Sequence, residues 1–159
     1  MSKTKLQQIT DFLMISLKGA IKQNDIDAWQ ESGTLILNGQ DLGDGIKIAR
    51  WKSEAVITIE NFPSKRINPY NVLAFLSVFL SEYDSERDTY GLNDPEIDID
   101  EISSDNTTII IEIDLIDELE LIPDPEGPIT YFGEKYLLAP IENFIAENVD
   151  VELVNEPES

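Results

Sequence analysis

The chain has 159 residues, 42% of them hydrophobic, which is enough to bury the core of one domain. It contains neither cysteine nor histidine, so disulfides, thiolate nucleophiles, Ser-His-Asp triads and most transition-metal sites are excluded. Its formal net charge of −21 opposes binding to a nucleic acid backbone.

That charge is unevenly spread. Residues 1 to 66 carry nine Lys/Arg and eight Asp/Glu, whereas residues 67 to 159 carry only Arg87 and Lys135 against 24 acids. An asymmetry of this kind suits the orientation of one protomer against another, or the matching of a basic partner.

The first segment predicts a helix. Leu6, Ile9, Phe12, Leu13, Leu17, Ala20 and Ile21 recur at intervals of three and four, with polar residues between them. The apolar run is broken throughout, so it reads neither as a signal peptide nor as a membrane span, and the protein reads as soluble and intracellular. Asp27 to Ser32 read as a short turn or helical piece ended by Gly33, and 34 to 38 as a short strand. Gly39, Gly43 and Gly45 mark a turn. Residues 46 to 60 alternate as a strand, most clearly in 54 to 60, and Pro63 ends it.

Asn68 and Pro69 open a second helix. Its sequence, YNVLAFLSVFLSEY, is apolar around most of its circumference, which predicts burial on both sides, against a sheet and against a partner element or subunit. An acidic loop follows from Glu82 to Pro95. Strands are expected over 96 to 102, 107 to 116 with an extension over 118 to 122 past a bulge, 129 to 132 and 135 to 138. Residues 140 to 147 read as one or two helical turns, Val149, Val151 and Leu153 alternate with acids, and disorder is expected from about Asn155. The expectation is a single α+β domain over 1 to 154, an antiparallel or mixed sheet flanked by helices, with a disordered tail at 155 to 159.

No motif carries catalysis. The acids from Asp94 to Glu101 lack the glycine and glutamate spacing of a calcium loop, and their alternation with Ile97, Ile99 and Ile102 fits a strand with one solvated face. No carboxylate pair stands out from chance pairing among 32 acids. The glycine loop lacks the Lys-Ser/Thr ending of a phosphate loop. The chain therefore reads as no enzyme, without cofactor or metal. Trp29 and Trp51 read as core anchors sooner than as interface residues. Tyr131, Phe132 and Tyr136, next to a proline-rich charged turn, are left open between core and interface.

One order of segments is more specific: Ile26-Asp27-Ala28-Trp29 with Gly33, the strand EAVITIENFP, the helix core Leu73-Ala74-Phe75-Leu76, a turn at Asp105-Asn106, the strand from Ile113 to Leu121, and a Pro/Asp/Gly turn with a return strand from Pro123 to Tyr136. Over about residues 6 to 138 it resembles the tail completion protein R family of contractile-tailed temperate bacteriophages. The resemblance implies a tail-terminator-like fold and a mechanical role: capping the finished tail tube and sheath, stopping their polymerisation and providing the head-joining surface. It implies partners in tube, sheath and head-completion or connector proteins, and a homo-oligomeric ring, commonly of six subunits. The location implied is the virion tail, assembled in the host bacterial cytoplasm. The chain departs from the family in its acidity and in Ala139 to Ser159, which has no family counterpart. The rival reading is an acidic DNA mimic, either an inhibitor of a DNA-binding protein or an immunity protein; a carboxylate hydrolase ranks last. For a head-to-tail ring contact, the charge halves and the aromatic turn point to Arg50, Lys52, Lys65, Arg66, Tyr131, Phe132 and Tyr136, facing acids between Asp94 and Glu126.

Overall fold

A computed structural model describes residues 2–103 and 106–142. After a two-residue strand β1 (Ser2–Lys3), helix α1 runs over Lys5–Leu17. Thr4 caps it, its hydroxyl accepting from the Gln7 amide at 3.1 Å. Leu6, Ile9, Leu13 and Leu17 form its buried stripe. The helix stops earlier than apolar spacing suggests, because Lys18 and Gly19 both adopt positive φ (48° and 80°) and turn the chain; Ile21 is buried all the same.

The larger difference lies next. Residues 27 to 32 are no turn: strand β2 (Ile26–Asp41) runs through them and pairs with β3 (Ile46–Phe62) along a long antiparallel hairpin. Gly33 does not end an element. A Cβ there would collide with the Lys52 carbonyl and lie 2.8 Å from the Trp51 ring, so glycine is what lets that ring lie across the strand. The irregularity that mimics a break is a bulge between Gln30 and Ser32.

Helix α2 (Tyr70–Tyr83) begins where the Asn68 side chain accepts from the Tyr70 amide at 2.9 Å. Val72, Leu76 and Phe79 are buried, but Tyr70, Val78 and Tyr83 are exposed, so within this chain the helix buries one side rather than two. Phe12 of α1 lies 5.3 Å from Phe79 and 6.4 Å from Tyr83, ring centre to ring centre.

The strands of the second half follow as expected, with one simplification. After β4 (Glu96–Ser103), residues 106 to 123 form a single strand β5 (Asn106–Pro123), unbroken where a bulge was expected. A hairpin of β6 (Ile129–Tyr131) and β7 (Glu134–Leu138) follows. Residues 141 and 142 form β8 (Ile141–Glu142), parallel to β1, in place of the first helical turn expected there. The rest of that expected helix, the alternation at Val149 to Leu153 and the terminal tail lie outside the described residues.

The product is one curled antiparallel sheet in the order β2-β3-β5-β7-β6, with β4 also on β5. The core lies between α1, α2 and half of that sheet. Its sheet members are Ile26 of β2, Ala55, Ile57, Ile59 and Phe62 of β3, and Ile109, Ile111, Ile113 and Leu115 of β5. The main apolar cluster takes nothing from β3 before Ala55 or from β5 after Leu115, although Ser53, Ala49 and Leu121 are buried farther along. The sheet thus continues past that cluster, and the first turn of α1 still meets it at Asp117, level with Trp51. At about 3.3 Å per residue, the stretch from Ala55 back to Ile46 is about 30 Å long. No helix of the described residues is long and apolar enough to cross a membrane.

Candidate protein-interaction site

The helix-free part of the sheet combines order with exposed apolar surface. Leu35 and Leu37 of β2 and Leu42 of the hairpin turn are exposed, Leu37 at 81%. Behind them, Trp51 of β3 is half-buried and donates through Nε1 to Gln30 Oε1 at 2.8 Å. Trp29 is 41% exposed and donates to its neighbour Glu31. Neither tryptophan belongs to the core, which corrects the expectation drawn from the sequence; the core ends one bulge before Trp51 on the paired strand.

The β6–β7 turn brings the aromatic residues here. Tyr131 and Glu134 pair across a two-residue turn in which Phe132 and Gly133 both take positive φ, 49° and 82°. Phe132 is thereby held in a left-handed conformation that costs a β-carbon-bearing residue about 1–2 kcal/mol. Its ring is 89% exposed, resting at 4.6 Å against Tyr131, which in turn lies 6.3 Å from Tyr136. The Tyr131 hydroxyl lies 3.5 Å from the point where Gly39 would carry a Cβ, so the aromatic turn sits against the end of the β2–β3 hairpin.

Of the seven residues the sequence points to, Arg50 and Lys52 on β3 and Tyr131, Phe132 and Tyr136 on the β6–β7 hairpin all lie on this helix-free part. Lys65 and Arg66 lie beyond the opposite end of β3, in the turn closed by the Arg66 amide on the Pro63 carbonyl at 2.9 Å. Arg50 is already engaged: Nε donates to Glu118 at 3.2 Å and the guanidinium stacks 5.1 Å over the Tyr90 ring. Lys47 reaches the same carboxylate at 4.0 Å. Lys52 makes no ion pair with the described residues and stands beside Thr34, one strand behind the edge. The sequence reading passed over Leu35 and Leu37. The signal was the run from Ser32 to Gln40, nine residues without a charge, in a chain otherwise crowded with acids.

The buried charges elsewhere are structural. Arg87, 9% exposed, donates to the Asp84 carboxylate at 3.1 Å and to the carbonyls of Asp114 and Asn93 at 2.8 and 2.7 Å. It clips the α2–β4 connection to β5. Asp117 accepts from the Lys5 amide at 2.7 Å, tying the first turn of α1 to β5, and Lys5 Nζ meets Asp84 at 3.3 Å. Desolvation raises the Asp117 pKa, opposed by its bond from the Lys5 amide and by the Lys5 charge. Among the described residues no group of three or more acids is disposed to hold a metal ion.

No solved structure matches the chain. It is 31% identical over 150 residues to an uncharacterized 19.2 kDa protein from the rep-hol intergenic region of Haemophilus phage HP1 (strain HP1c1), covering 94% of this chain and 90% of that one. Residues 3–140 match the family model of the P2 phage tail completion protein R (GpR). The chain belongs to the P2 phage tail completion protein R family.

Proposed function

We propose that this protein ends tail assembly by forming a closed ring on the finished tail. The ring caps tube and sheath, stops their polymerisation and offers the surface to which the head joins. Membership of a tail completion family supplies the setting. The observation that carries the finer reading is the helix-free sheet extension, whose exposed Leu37 and Phe132 have no apolar neighbour enough to cover them within the chain. Apolar surface held on a rigid, ordered element is characteristic of a contact to be made. The contact is heterologous, one surface of a protomer against a different surface of the next, since such contacts close into rings. Arg50, Lys52, Tyr131, Phe132 and Tyr136 lie on one of these surfaces, and Lys65 and Arg66 contribute at the other end of the sheet.

The test is a phage or prophage lacking this gene, with lysates viewed by electron microscopy. Tails of uncontrolled length and unjoined heads are expected, with normal length and joining restored by the protein supplied in trans. Tails of wild-type length bearing heads in its absence would overturn the proposal.

A further inference from the structure

The four strands β2, β3, β5 and β4 lie side by side, each antiparallel to the next, with β2 and β4 at opposite edges. Among the described residues neither outer edge is paired with another strand. An even number of antiparallel strands makes the two edges run in opposite directions. A second copy placed alongside in the same orientation therefore sets β4 antiparallel to β2, so the ladder continues across the junction without a change of hand.

The two edges also differ in the way such a junction needs. The β2 edge from Ser32 to Gln40 has no charge and no proline, the usual protections of an exposed strand, and it shows Leu35 and Leu37 to solvent. The β4 edge carries Glu96, Asp98 and Asp100 on one face, while the other holds Ile97, which packs against the core, and Ile99, which is 38% exposed. The registers put Leu35 and Leu37, opposite Trp51 and Ala49, on the face that continues the core side of β3, with Thr34 and Ile36 opposite Lys52 and Arg50 on the reverse. When the sheet continues across two copies, each face of β4 thus meets its match. Ile97 and Ile99 adjoin Leu35 and Leu37, while Asp98 and Asp100 adjoin the face carrying Lys52, which can reach across the small Thr34.

We propose, resting on the ring reading above, that successive protomers join by strand addition, the acidic β4 edge of one copy pairing with the uncharged Ser32–Gln40 edge of β2 in the next, to give a sheet continuous around the ring. The required stagger is reasonable. Within one protomer Ile97 is level with Ala28, through Ile111 and Ile57. Bringing it level with Leu35, which pairs with Trp51, shifts the neighbour by six residues of β3, about 20 Å. Four strands at about 4.8 Å spacing are about 19 Å wide. Shift over width corresponds to strands tilted by about 45° from the ring axis, within the range closed sheets adopt.

The test uses two edge-blocked variants of the full chain. Leu35→Glu/Leu37→Glu blocks the β2 edge and leaves β4 intact; Ile99→Glu/Ile102→Glu, at residues already partly exposed, blocks β4 and leaves β2 intact. Circular dichroism and thermal melting check that each is folded, and Leu37→Glu alone, at the most exposed of these sites, serves if a double variant is not. Native mass spectrometry of the free protein and of protein bound to purified tails reads the assembly. Wild type is expected as a multimer in at least one of these states, and each variant alone as a monomer in both. An equimolar mixture should yield a heterodimer and nothing larger, because only one sound junction can form. The mixture is measured up to about a hundred times the concentration at which wild type assembles, to allow for the lost advantage of ring closure. Folded variants that assemble like wild type would overturn strand addition and leave the ring standing, as would a mixture that stays monomeric. A wild type that is monomeric both free and on tails would overturn the ring and this inference with it.

Discussion

Replacing Arg87 by Met removes the guanidinium but keeps most of the volume of its stem. In the wild type that group is almost wholly enclosed and meets one carboxylate and two backbone carbonyls: the bonds to Asp84 and Asn93 brace the α2–β4 connection from within, and the bond to Asp114 holds it against β5. The substitution strands the Asp114 and Asn93 carbonyls and takes from Asp84 one of its two cationic partners. Breaking a buried pair from one side costs about 3–5 kcal/mol. Lys5 remains 3.3 Å from Asp84 and limits the loss on that carboxylate, so the lower part of the range is expected. For a chain of this size about 3 kcal/mol corresponds to a fall in melting temperature of about 6–12 °C. Urea unfolding followed by tryptophan fluorescence measures it, since Trp29 and Trp51 both lie on the β2–β3 hairpin. A midpoint change equivalent to less than about 1 kcal/mol, at unchanged m, would refute the clip.

Desolvation raises the folded pKa of Asp117 above its unfolded value, so its contribution favours the folded state at low pH and is lost as pH rises through the folded pKa. Asp117→Asn should flatten the gain in stability seen when pH is lowered from neutral toward the ordinary carboxylate range; equal gains in both proteins by denaturant titration would reject that cause. Phe132→Gly relieves the left-handed φ of 49° and should stabilise the free protein by about 1 kcal/mol while weakening attachment to tails; calorimetry and a tail-binding assay read the two effects, and a loss of stability would show that the ring packs more than it strains. Sodium chloride should raise the melting temperature by screening a chain of net charge −21, and a fall on adding salt would mean that its acids are better paired than the ion pairs here indicate.

The first helix, the alternating strand through 54 to 60 and the strand 96 to 102 were legible from a clean periodicity in their apolar residues, and the second helix from its Asn68-Pro69 start and its long apolar run. The long β2 strand was not. Its pairing is set by β3, and its own residues alternate only on either side of a bulge, so Asp27 to Ser32 look like a turn when read alone. Gly33 compounds the difficulty, since a glycine that admits a neighbouring aromatic ring cannot be told in one dimension from one that ends a segment. At the site, the aromatic turn was visible as Tyr131, Phe132 and Tyr136. Leu35 and Leu37 were passed over because an apolar strand reads as core until the helices that would cover it are found to stop short.

The same limit applies to charge. The division into a nearly neutral first half, which holds nine of the eleven cations, and an acidic second half suggests two oppositely charged surfaces, yet β3 and β5 come from different halves and lie side by side. Glu118 accordingly neutralises Arg50 and Lys47 within the protomer, and Asp84 does the same for Lys5. Lys52 is the cation of that strand left over, whereas Glu96, Asp98 and Asp100 on β4 form no ion pair with the described residues. A contact between protomers can thus draw few ion pairs, and exposed pairs contribute about 0–1 kcal/mol each. Burying Leu37 or Phe132 contributes roughly 1.5–3 kcal/mol. On the ring reading, then, affinity rests with the apolar residues of the helix-free sheet, and the surplus acids act on direction. They disfavour β4 against β4, leave β4 against β2 as the tolerated approach, and so make the contact heterologous, the kind that closes a ring and ends a polymer.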